Sequence, residues 1–144
     1  MSPGQIDEAV VRRHLIALDA ALQHLRRHAG KPLASLVAEP DALWAVERGL
    51  QLCAQNALDV ATHLAASGGR DVPDYAAAVD ALASLGVLGS EFAARFRSVA
   101  GFRNVLVHAY LEVDPARVHA VLNERLGDFE EFARRVQTYV DRQP

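Results

Sequence analysis

A chain of 144 residues and 15.6 kDa, 51% hydrophobic and 23% charged, can build one packed core, so a single domain is expected over residues 1–144 and disorder is excluded. A net charge of −3 and a pI near 6.0 speak against a broadly basic protein that coats nucleic acid, while leaving room for a local basic patch. No apolar run reaches the ~18 residues of a membrane span, Met1–Asp7 lacks an export-signal pattern, and Cys53 is the only cysteine; an internal disulfide and a cysteine-based zinc cluster are excluded and the cytoplasm is the expected compartment.

Glycine and proline clusters divide the chain into helix-length pieces. The first runs from about Gln5 to Ala29, where Val11, Leu15, Leu18, Leu22 and Leu25 form one apolar face and Gly30-Lys31-Pro32 is a stop. Ser35 to Glu39 reads as a short connector of about one helical turn. The second runs from about Asp41 to Ala66, with Leu43, Val46, Leu50, Cys53, Ala57, Val60 and Leu64 alternating by three and four. Cys53 sits on that seam and reads as a buried small hydrophobe, and Ser67-Gly68-Gly69 ends the piece. A short third helix spans about Asp74 to Leu85, entered at Pro73 and ended by Gly86. The fourth starts near Ser90, a good N-cap, buries Phe92, Phe96, Val99 and Phe102, and reaches about Tyr110. The fifth starts at Asp114-Pro115 and carries Val118, Leu122, Phe129, Phe132, Val136 and Val140 almost to the C-terminus. No segment alternates cleanly enough for a strand. The fold class is therefore all-α: an antiparallel up-and-down bundle of four long helices and one short one.

Chemistry-bearing residues gather late in the fourth helix, in Gly101-Phe102-Arg103-Asn104-Val105-Leu106-Val107-His108-Ala109-Tyr110. Asn104 and His108 share one face and Arg103 and Tyr110 another, while Arg103 and His108 stand about 140° apart on an ideal helix. One straight helix does not bring all four to a point. Two copies meeting across a twofold axis could, as could a helix distorted at Gly101, where close helix approach would justify the glycine. These residue types permit phosphodiester cleavage. A histidine moves protons at neutral pH, an arginine holds phosphate and stabilises developing charge, an asparagine orients the histidine ring and a tyrosine contacts substrate. The 2′-hydroxyl of RNA is an internal nucleophile, so no metal or cofactor is needed, and the product would be a 2′,3′-cyclic phosphate. Spacing alone also fits a plainer reading, with surface Arg103 and Asn104 and a packed interhelical His108.

Arg103-Asn104-x-x-x-His108-x-Tyr110 resembles the R-x4-6-H motif of HEPN-domain proteins, and in its extended form the HepT-like toxins of HepT/MntA type VII toxin–antitoxin systems. Ala45 to Gln51, Ala57 to Leu64, the Pro73–Tyr75 helix start, the turn at Leu85 to Leu88 and the Val113-Asp114 entry are similar to the same family, so the likeness covers roughly residues 10 to 140. The resemblance implies an all-helical homodimer whose two motifs line a cleft at the dimer interface. It implies a metal-independent endoribonuclease that arrests growth, with Arg103 and His108 catalytic. Tyr110 matches the tyrosine that a nucleotidyltransferase antitoxin, MntA, modifies with AMP to silence the toxin. The alternative is a non-catalytic HEPN-type dimer that binds a nucleotide or the nucleotidyltransferase.

Outside the motif, Asp59 and His63 lie one turn apart with Asn56 nearby and either support the motif, form a solvent-facing pair, or offer two ligands to a metal that lacks a third. His14, His24, His28 and His119 read as solvated. Arg48 reads as a bridge within the bundle in preference to an RNA contact, and Arg12-Arg13 and Arg26-Arg27 as exposed helix face. Arg134-Arg135 reads as complementing the last helix dipole, and Trp44 as core or interface. Fourteen of the fifteen basic residues are arginine, which suits forked phosphate contact, although genome base composition is the plainer source of that bias.

Overall fold

The computed structural model describes residues 4–108 and 113–144. Eight helices follow in order among them: α1 (Glu8–Arg26), α2 (Leu33–Ala38), α3 (Pro40–Ser67), α4 (Tyr75–Ser84), α5 (Ser90–Phe96), α6 (Ser98–His108), α7 (Pro115–Glu124) and α8 (Leu126–Asp141). The described residues include no strand. Helix starts follow side-chain chemistry. The carboxylates of Asp7, Asp74 and Asp114 accept from the backbone N–H of Val10 (3.3 Å), Ala77 (2.8 Å) and Ala116 (3.0 Å), which satisfies donors that the first turn leaves free. Gly86 takes φ +78°, a left-handed value that ends the α4 region without a Cβ penalty.

The bundle is organised around α3, which packs against α1, α2, α4, α6, α7 and α8. Its buried side chains run from Val46 through Leu50, Cys53, Leu58 and Leu64 to Ala65. α1 lies antiparallel to it: Asp7 meets His63, His14 meets Asn56, and Leu25 meets Gly49. At that last crossing a Cβ on Gly49 would stand 2.6 Å from Leu25 Cδ2, so the glycine sets how closely the two helices approach. At the other side Phe96 of α5 stacks on Phe132 (4.7 Å, 6°) and meets Phe129 edge-on (5.7 Å, 80°), closing the core between α5 and α8.

Two of the expected long helices are interrupted. The piece entered at Ser90 breaks at Arg97, where the Ser98 hydroxyl donates to the Arg95 carbonyl (3.0 Å) and Ala100 N–H turns to Arg97 O. The last piece breaks at Arg125, whose φ of −120° leaves the helical region. Its guanidinium folds onto Asp128 (2.7 Å), and Gly127 beside it weakens helix continuation. The all-helical bundle is unchanged by either break. Among the described residues, no helix is long and apolar enough to cross a membrane.

Candidate functional site

Val99, Ala100 and Phe102 are buried and fix α6 against the bundle, which leaves Arg103 half-buried at the helix margin. Its Nε–H donates to Gln55 Oε1 on α3 (2.8 Å) and its Nη1–H to Asn104 Oδ1 (3.0 Å). The guanidinium carbon stands 5.3 Å from the centre of the Tyr75 ring, a cation–π contact with the first residue of α4. Gln55 Nε2 donates in turn to Asp59 Oδ1 (2.9 Å) and to the Tyr75 hydroxyl oxygen (3.1 Å), and that hydroxyl donates to Asp59 Oδ1 (3.4 Å). Three helices thus converge on one arginine. It faces a groove of about 580 Å³ lined by Thr62, Val72, Pro73, Tyr75, Gly101 and Asn104 as well as Arg103 itself.

Asn104 contacts Arg103, not His108, so the expected orientation of the histidine ring by this asparagine is corrected: the adjacent guanidinium takes its carbonyl oxygen. His108 is exposed at the end of α6 and does not line the Arg103 groove. Tyr110 lies outside the described residues. α6 runs unbroken through Gly101, and a Cβ there would meet nothing within 4 Å among the described residues, so neither helix distortion nor close packing among them accounts for that glycine. Gln55 and Tyr75 escaped the sequence reading. The one available signal for Gln55 was its position one helical turn before Asp59.

Other candidates resolve separately. His63 Nε2 accepts from the Asp7 N–H (3.1 Å), pinning the start of α1, so Asp59 and His63 serve different partners and do not converge. Asn56 belongs with His14, whose Nδ1–H donates to Asn56 Oδ1 (2.9 Å), while Asn56 Nδ2 donates to Leu52 O. His119 Nε2–H donates to Lys31 O (2.8 Å) and ties α7 to the loop after α1. His14, His28 and His119 are therefore half-buried rather than solvated, and burial lowers the His28 pKa, with Lys31 adding to the effect. Arg48 is exposed and makes no ion pair among the described residues, against the expected bridge. Arg26 pairs with Glu130, and Arg134 and Arg135 both pair with Glu131. Trp44 is 74% exposed, which excludes the core reading, and lines a second groove with Leu43, Glu47, Arg48, Leu106 and Val113. Burial raises the Glu47 pKa.

A family model described as "Ribonuclease HepT-like" matches residues 18–136. The tRNA nuclease HepT of Aphanizomenon flos-aquae (strain 2012/KM1/D3) is 25% identical over 137 residues, covering 94% of this chain and 92% of that protein. Among solved structures, the tri-AMPylated Shewanella oneidensis HEPN toxin in complex with MNT antitoxin superposes with a TM-score of 0.79 at 19% identity, covering 90% of this chain and 97% of that one. YutE from Bacillus subtilis, described as a cytosolic protein of unknown function, gives 0.80 at 18% identity over 94% of this chain and 92% of that one. The structural likeness shows a shared fold.

Proposed function

The chain belongs to the Ribonuclease HepT-like family, and from that membership and the geometry of Arg103 we propose that it is the toxin of a toxin–antitoxin pair: a homodimeric, metal-independent endoribonuclease acting in the cytoplasm. The observation that carries this reading is an arginine held by Gln55 and the Tyr75 ring in the wall of an open groove, with terminal N–H donors beyond the one that Asn104 takes. A guanidinium fork presented in this way matches two phosphate oxygens. The substrate 2′-hydroxyl attacks the adjacent phosphorus, the P–O5′ bond breaks, and a 2′,3′-cyclic phosphate remains. Arg103 stabilises the charge gained by the phosphoryl oxygens. His108 is the general acid/base, Asn104 and Asp59 support the site, and Tyr110 touches substrate.

The placement of Arg103 and His108 supports the homodimer. His108 is exposed and outside the Arg103 groove of its own chain, so a second copy is the simplest way to supply both groups to one phosphate. The name of the Aphanizomenon relative makes tRNA the first substrate to try. The AMPylated, antitoxin-bound HEPN toxin supports a minimal nucleotidyltransferase, MntA-like, as partner and AMP transfer to Tyr110 as the silencing step.

The test is cleavage of tRNA by the purified chain in EDTA. The parent should leave cyclic phosphate ends, and Arg103→Ala and His108→Ala should each lose at least about a hundredfold in rate while melting as the parent does. No cleavage by unmodified dimeric parent would replace this reading with the non-catalytic dimer that binds a nucleotide or the nucleotidyltransferase.

A further inference from the structure

We propose that Gln55, Asp59 and Tyr75 form a positioning relay that holds Arg103 ready for phosphate without neutralising it; this deepens the ribonuclease reading above and rests on it. An arginine side chain is long and loses much rotamer freedom when it is fixed, so a site that fixes it before substrate arrives removes that cost from the reaction. Arg103 is fixed in two directions. The Nε–H is taken by Gln55 at 2.8 Å, and one face of the guanidinium lies over the Tyr75 ring at 5.3 Å. Of its five N–H donors, one goes to Gln55 and one to Asn104, which leaves the terminal edge with donors for two phosphate oxygens.

The direction of the relay follows from donor and acceptor chemistry. A glutamine amide can present either its oxygen or its nitrogen, and an ionised carboxylate only accepts. Asp59 Oδ1 takes a hydrogen of Gln55 Nε2 at 2.9 Å, so the Gln55 oxygen must face away from Asp59 and toward Arg103. Tyr75 completes the set, since its oxygen accepts from Gln55 Nε2 and its hydrogen goes to Asp59. Every bond in the triangle is consistent with one assignment.

The relay also explains why the carboxylate is one residue removed from the arginine. A direct Asp–Arg pair would compete with phosphate for the same fork. A neutral amide between them passes the orientation on and leaves the positive charge available. Asp59, Gln55 and Tyr75 are therefore positioning residues, and none of them needs to touch substrate.

Two readouts on the full-length protein test this. The first is the ¹⁵N–¹H NMR signal of Arg103 Nε–H without RNA, assigned by its loss in Arg103→Lys. In the parent it should be displaced from the free-arginine position and slow to exchange. Gln55→Ala and Asp59→Ala should return it to that position with at least about tenfold faster exchange. Tyr75→Phe removes one hydroxyl only and should give an intermediate rate. The second is tRNA cleavage in EDTA. Gln55→Ala should lower kcat about tenfold with KM and melting temperature little changed, and should cost nothing further in an Arg103→Lys background, which has no Nε–H to hold. Gln55→Glu, which sets a carboxylate against the fork, should lose more kcat than Gln55→Ala. An unchanged Nε–H signal in a folded Gln55→Ala variant overturns the relay, as does an equal loss in both backgrounds. If the parent cleaves nothing, the ribonuclease reading fails and the NMR signal alone decides the relay.

Discussion

Cys53 shows how far a single residue's chemistry follows from its place. It is fully buried on the α3 seam, and burial pushes its thiol up from 9.0 to about 12. The thiolate is the reactive form, so the native protein should resist iodoacetamide at pH 8 and be alkylated only when denaturant exposes α3. Stability follows the same shift. The folded pKa lies above the unfolded one, so the contribution is intact below about pH 9 and is lost as pH rises toward 12, by about 1 kcal/mol per unit. Urea melts at pH 8 to 11 should show this decline in the parent and a shallower one in Cys53→Ala, which cannot ionise there. The position of Cys53 was legible because a seam residue needs only the periodicity of its own helix. The surroundings of Arg103 were not, because Gln55 and Tyr75 reach it across 48 and 28 positions of sequence, and only packing decides which polar residue on α3 faces α6.

At the scale of elements, the α1–α3 crossing depends on a missing side chain. Leu25 is buried, and a Cβ on Gly49 would stand 2.6 Å from its Cδ2, so the core must shift to admit it. Gly49→Ala should therefore cost about 1–3 kcal/mol despite its better helix propensity, read from the urea midpoint. Leu25→Ala should be destabilising by itself, by about 2–5 kcal/mol, yet the two together should cost less than their sum, because the smaller residue makes room for the new methyl. The helices themselves could be read from the sequence where local chemistry marks them: Asp74 and Asp114-Pro115 at starts, Gly86 at a stop, apolar periodicity between. The breaks at Arg97 and Arg125 could not. Each is made by a side chain returning to a nearby group, Ser98 to the Arg95 carbonyl and Arg125 to Asp128, within a sequence whose apolar periodicity continues across the break. Trp44 escaped for a related reason. Periodicity places it at the start of the α3 seam, but the groove it lines is covered by no element of the described chain.

For the whole molecule, the question is whether one chain or two supply the reacting groups. Arg103 opens on a groove that His108 does not line, although both belong to α6. On an ideal helix the two stand about 140° apart, and a second α6 facing the first would let both residues serve one phosphate. This has a consequence that mixed dimers can test. Arg103→Ala and His108→Ala chains are each expected to be inactive alone. In a dimer of one with the other, the intact Arg103 of the second chain and the intact His108 of the first would share one site, while the other site would lack both. Co-refolding equal amounts forms mixed dimers in about half of the population if pairing is random, each with one working site of two. About a quarter of parental cleavage should then return. A site complete within one chain predicts no recovery, because each chain in the mixture still lacks one of the two residues. The parent must also sediment as a dimer at the assay concentration, and diluting it until it dissociates should lower the rate per chain.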